Sequence, residues 1–128
     1  MIQIESLSPN IFVSEIEKSI EFYKQLGFSL IMTVPNEKPY HWAMLKCNET
    51  TIMFHAWNSL GDELPQVQKN KAHGLLFYFK IKGILQLFEK FEKSEHVIKG
   101  LEKTFYGETE FSMLDPDGYV LTFAEELE

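Results

Sequence analysis

The stretch from Phe105 to Glu126 constrains the fold more than any other part of the chain. At its centre is Asp115-Pro116-Asp117-Gly118. Pro116 presets φ for a turn, the Asp115 side chain can cap that turn, and Gly118 can take the positive φ that closes it. On either side, Phe111, Met113, Tyr119, Leu121 and Phe123 fall at alternate positions. Period-two patterning predicts a hairpin with one side of each arm on a core and the other side turned elsewhere. What that second side faces is the functional question.

A chain of 128 residues is expected to form one domain, with a core large enough to need neither disulfide nor metal to fold. Aromatic residues make up 14% of it, 11 of them Phe, which leaves material for a lined pocket as well as a core. The formal net charge is −7 and all 12 basic residues are Lys. An acidic chain without Arg repels a polyanion and lacks the bidentate donor that phosphate and guanine recognition rely on, so nucleic acid is excluded as an expected partner. A neutral or cationic guest fits better. Cys47 is the single cysteine, which rules out an intrachain disulfide or a cysteine-cluster metal site and points to a reducing, cytoplasmic setting. The N-terminus lacks the build of a signal peptide and no apolar run is long enough for a membrane span, so no membrane association is expected.

In chain order, Ile2, Ile4, Ile11 and Val13 predict a strand interrupted at Pro9. A helix follows: Ser14 and Glu17 have capping-box spacing, Ile16, Ile20, Tyr23 and Leu26 share a face, and Gly27 sits where a left-handed C-terminal cap is needed. Phe28 to Val34, Tyr40 to Lys46 and Thr50 to Trp57 read as three strands. Residues 59–71, polar and aperiodic, predict a linker. The pattern then begins again. A strand covers Gly74 to Ile81, Ile84, Leu87, Phe88 and Phe91 recur at helical spacing, and His96 to Phe105 is a weak strand broken at Gly100, before the two arms of the hairpin. The expected fold class is therefore α+β, with two βαβββ modules in tandem over about 1–58 and 72–128.

The segment from Pro9 to Phe28, with Ser-Ile-Glu-Phe-Tyr-Lys-Gln-Leu-Gly at its core, resembles the first strand and helix of the vicinal oxygen chelate superfamily. That superfamily includes glyoxalase I, bleomycin-resistance proteins and extradiol dioxygenases. Tyr106-Gly107 through Phe111, then Asp-Pro-Asp-Gly-Tyr-Val-Leu-Thr-Phe, resembles its last hairpin. The resemblance implies curved mixed sheets around a cleft, often completed in a homodimer. It also implies up to four metal-ligand places, which fall at Ser8, Thr51, about Leu76, and Thr122. Hydroxyls and an alkyl group are not competent ligands for a divalent transition metal. His73 lies near the third place, but one imidazole does not make a site.

No metal, cofactor or catalytic residue is therefore expected, and the closest pattern is the bleomycin-resistance-like branch. The candidate ligand-binding residues of the cleft are Trp42, Thr51, Met53, His55, Tyr78, Tyr106, Glu110 and Thr122. Thr51, Met53 and His55 share a strand face by period two. Glu108 and Glu110 share another, either as an acidic wall for a cationic guest or as a solvated face, the plainer expectation. His41 and His96 read as surface residues, and Glu125, Glu126 and Glu128 as an exposed acidic tail. The leading expectation is sequestration of a neutral or cationic small organic molecule. Its rivals are an enzyme, such as a glyoxalase-like lyase with ligands placed elsewhere or a metal-free one using His55 or Glu110, and a protein-interaction role.

Overall fold

A computed structural model describes residues 1–59, 64, 65, 67 and 74–127. The chain divides into two compact units, Met1–Lys71 and Ala72–Glu128. Most of the linker expected over 59–71, together with His73 and Glu128, lies outside the described residues.

The first unit runs β1 (Asn10–Val13), α1 (Ile16–Lys24), β2 (Ser29–Val34), β3 (Trp42–Cys47) and β4 (Thr50–Ala56). Its sheet has the order β1-β4-β3-β2, with β1 parallel to β4 and the other pairs antiparallel. Ile11 and Val13 of β1, Ala43 and Leu45 of β3, and Ile52, Phe54 and Ala56 of β4 are buried with Ile16, Ile20 and Tyr23 of α1. The Tyr23 ring lies 5.0 Å from that of Phe54. Full burial of such a side chain stabilises by about 1.5–3 kcal/mol, and this face holds α1 on the sheet. Gly27, at φ +106°, ends the helix: its amide bonds the Lys24 carbonyl and the Phe28 amide the Tyr23 carbonyl, the paired bonds of a Schellman motif.

Two expectations for this unit are corrected. Glu15, not Ser14, is the residue preceding the helix, and its side chain makes no capping bond. The backbone leaves the extended region one residue later than the Ser-x-x-Glu spacing implies, and Ile16, the first helical residue, is buried. The strand expected from Ile2 starts at Asn10, with Ile2 and Ile4 exposed. Pro9, lacking an amide proton, contributes only its carbonyl, which accepts from the Met53 amide.

The second unit repeats the plan as β5 (Leu76–Lys80), α2 (Ile84–Phe91), β6 (Val97–Lys103), β7 (Thr109–Leu114) and β8 (Val120–Glu125). Its sheet order is β5-β8-β7-β6, with β5 parallel to β8. The β7-β8 hairpin forms on Asp115-Pro116-Asp117-Gly118. The Asp115 amide donates to the Tyr119 carbonyl, and its carboxylate accepts from the Asp117 and Tyr119 amides, both at 2.9 Å. Gly118 takes φ +90°. Phe111, Met113, Tyr119, Leu121 and Phe123 are all buried, and the Phe111 ring packs against Phe88 of α2 at 5.1 Å and Phe123 at 5.3 Å.

Three further expectations give way here. Gly100 does not end a strand: β6 runs through it, and the pairing with β7 shifts register between Lys99 and Glu102, as a glycine within a bulge permits. His96 is half-buried rather than a surface residue. Its Nδ1 donates to the Leu114 carbonyl at 2.8 Å, while its own carbonyl accepts from the Leu114 amide. Glu125 is not part of a solvated tail. Its Oε1 accepts from the amides of Gly83 and Ile84 at 2.9 Å each, where Gly83 at φ 91° has no side chain with which to cap α2. A carboxylate there also faces the positive end of the helix. Glu125→Ala is expected to cost about 0.5–2 kcal/mol, read as a lower urea midpoint than wild type. Among the described residues, no helix is long and apolar enough to cross a membrane.

Candidate ligand-binding site

Alternation along the second sheet sends Phe77, Phe79, Leu121 and Phe123 to the helix side, where Phe79 stacks on Phe123 at 5.1 Å. The opposite side is thereby built from Leu76 and Tyr78 of β5, Thr122 of β8, Glu110 and Ser112 of β7, and Lys99 and Glu102 of β6. Strand register places Tyr78, Thr122, Ser112 and Lys99 in one row across all four strands. These residues, with Tyr106 and Phe111, line an open concavity of about 400 Å³, within the range of small-molecule sites.

The floor is a hydroxyl pair, Ser112 Oγ and Thr122 Oγ1, 2.8 Å apart. One wall is Glu110, whose Oε2 accepts from the phenol of Tyr78 at 2.5 Å and that of Tyr106 at 2.6 Å. Tyr106 comes from the β6-β7 loop. There Thr104 exchanges bonds with Glu108 through both its backbone and its hydroxyl, and Gly107 takes φ 91°. On the other wall, the Lys99 ammonium lies 2.8 Å from Glu102, and register sets Glu102 directly opposite Glu110.

The bond to Glu110, then desolvation, pushes the Tyr78 phenol well above its ordinary 10.0, and the same bond raises Tyr106. Both are therefore phenols, not phenolates, at physiological pH. Their folded values lie above the unfolded one, so the stabilisation tied to these protons is complete below pH 10.0 and is lost as pH rises through the folded values. Glu110→Gln is expected to bring both phenols back toward 10.0, read from tyrosinate absorbance during alkaline titration.

Of the predicted cleft residues, Tyr78, Tyr106, Glu110 and Thr122 come together in this concavity. Trp42, Thr51, Met53 and His55 lie half-buried on the first unit's sheet, where Trp42 pairs with His55 in register. The His55 ring lies 5.1 Å from Phe12. His41 is exposed, as expected. The plainer expectation for Glu108 and Glu110, a solvated face, is corrected: Glu108 is ion-paired with Lys80 and mostly buried, and Glu110 holds two phenols. Lys99, Glu102 and Ser112 were not predicted. The signal for Ser112 is its spacing of two from Glu110, but Lys99 and Glu102 require knowing the register shift at Gly100.

The residues at the metal-ligand places do not fit a metal. Ser8 and Thr51 hydrogen-bond each other through their hydroxyls, as do Ser112 and Thr122. Counted back from the first residue of each helix, Ser8 matches Leu76 and Asn10 matches Tyr78. Since Asn10 pairs with Met53 and Tyr78 with Thr122, the internal repeat relates Thr122 to Met53 rather than to Thr51. A thioether in place of a hydroxyl leaves the donor set equally unsuited to zinc, nickel or manganese. Among the described residues no three His, Cys, Asp or Glu side chains gather as a metal site.

The paired βαβββ modules and the open sheet face define the class. The profile of the Glyoxalase/Bleomycin resistance protein/Dioxygenase superfamily matches residues 4–123, and the chain belongs to that superfamily. Among solved structures, it is similar to a glyoxalase/bleomycin resistance protein/dioxygenase family enzyme from Burkholderia phytofirmans, at TM-score 0.78 and 23% identity over 94% of this chain and 97% of that one. A hypothetical protein from S. aureus matches at TM-score 0.77 and 20% identity, over 96% and 95% of the two chains. A bleomycin resistance determinant encoded on transposon Tn5 matches at TM-score 0.64 and 17% identity, over 98% and 100%. At these identities the likeness is one of fold. No curated protein sequence matches the chain.

Proposed function

We propose that this protein binds a neutral or cationic small organic molecule against the open face of its second sheet, and that it does so without a metal. The observation that carries this is the concavity itself: exposed phenol rings, a carboxylate fixed by two hydrogen bonds and a hydroxyl floor. Tyr78 and Tyr106, 47% and 55% exposed, offer ring faces to a guest. The superfamily's fold serves both a bleomycin resistance determinant and a lactoylglutathione lyase among the similar structures, so the site must choose between binding and catalysis. Here the hydroxyls at Ser8, Thr51, Ser112 and Thr122 are bonded in pairs, and Glu110 already holds two phenolic protons. That arrangement favours holding a guest over moving its protons.

Ligand-observed NMR with a panel of neutral and cationic aromatic compounds tests this on chelator-treated protein. Binding with amide shifts confined to β5, β6, β7, β8 and the Tyr106 loop is expected. No binder, or shifts that avoid those strands, would overturn it. The protein is further proposed to be a cytoplasmic homodimer. A monomer by size-exclusion with light scattering at high concentration would refute the dimer.

A further inference from the structure

The hydrogen-bonding ledger of the concavity specifies a narrower guest, on the understanding that this face is a ligand site. The Tyr78 and Tyr106 phenols each have one proton, and both protons go to Glu110 Oε2. Toward a guest these phenols are therefore acceptors, as is the remaining carboxylate oxygen. Of the Ser112 and Thr122 hydroxyls, one spends its proton on the other. Glu102 and Glu110 face each other across β6 and β7, an unfavourable pairing of like charges. The Lys99 ammonium, bonded to Glu102 at 2.8 Å, offsets it. Acceptors thus outnumber donors, carboxylates outnumber ammonium groups, and two phenol faces stand ready for a cation.

We propose that the site selects an organic cation that carries N–H donors, a protonated primary or secondary amine or an amidinium on an apolar or aromatic body. Glu110 accepts its N–H groups, while the Lys99 ammonium, paired with Glu102, is a like charge lining the same concavity. A quaternary ammonium satisfies the ring faces but leaves the acceptors of Glu110 unused. An anion meets Glu102 and Glu110.

The test titrates phenethylamine, its N,N,N-trimethyl derivative and 3-phenylpropionate into the full-length protein, with affinities taken from amide shifts. The amine is expected to bind about tenfold more tightly than the trimethyl compound, the scale of a hydrogen bond to a charged group. Glu110→Gln, a near-isostere whose folding the same spectra check, removes the charge and one of the two acceptor oxygens and should reduce that preference severalfold. Lys99→Gln should tighten the amine severalfold by removing a like charge and leaving Glu102 without its ammonium partner. Equal or tighter binding of the trimethyl compound or of the carboxylate would overturn the selectivity while leaving a small-molecule site in place, and so would weaker amine binding to Lys99→Gln. If none of the three compounds shifts β5, β6, β7, β8 or the Tyr106 loop, the small-molecule site fails and the selectivity with it.

Discussion

Phe111→Ala is expected to destabilise the protein by about 3–5 kcal/mol, the range for removing a buried phenyl ring and leaving a cavity. Phe111 is 1% exposed and pairs in register with Phe123. Its ring is held between Phe88, edge-on at 71°, and Phe123, nearly parallel at 27°. Alanine removes both aromatic contacts and opens a void between α2 and the strands that carry the concavity. Against a total stability of about 5–15 kcal/mol such a loss is a large fraction. Urea denaturation should show it as a lower midpoint. Leu76→Ala, on the open face and 51% exposed, should stay within about 0.5 kcal/mol of wild type. If the two variants behave alike, the assignment of the two sheet faces is wrong.

Asp115→Ala should cost about 1–3 kcal/mol, the cost of removing the acceptor from buried hydrogen bonds. Asp115 is 3% exposed, a buried carboxylate, and serves two amides of its own turn. Asp115→Asn keeps an acceptor oxygen in place and should recover a good part of the loss. Equal destabilisation by alanine and asparagine would mean that the carboxylate's charge, rather than its two backbone bonds, closes the hairpin.

What could be seen in the sequence follows from how local each signal is. The hairpin was legible because the Asp115-Pro116-Asp117-Gly118 chemistry and the period-two alternation both lie within the same short stretch. The sheet's open side, with Tyr78 and Thr122 on it, followed from alternation alone. The helix α1 was legible by its apolar spacing but not by its cap, because Ser14 and Glu15 are equally polar and only the backbone decides which precedes the helix. Glu125 was misplaced because its partners, Gly83 and Ile84, are distant in sequence, and nothing near Glu125 marks it as a cap. Glu110 was a candidate by position. Its two phenols became evident only when the parallel β5-β8 pairing let Tyr78 reach Glu110 across β8 and the Thr104 loop turned Tyr106 back onto it. Lys99 and Glu102 depend on the register shift at Gly100, where a glycine that reads as a strand break instead accommodates a bulge.

At the places where metal-binding relatives would hold their ion, Ser8, Met53 or Thr51, Leu76 and Thr122 offer hydroxyls, a thioether and an alkyl chain. Metal-independent ligand binding is the claim on which the functional reading stands. It is tested most directly by calorimetric titration of chelator-treated protein with phenethylamine, before and after one equivalent of zinc, nickel or manganese. The expected result is one affinity, unchanged within about twofold by any of the metals. Binding that appears only once a metal is added, together with stoichiometric uptake of that metal, would contradict it.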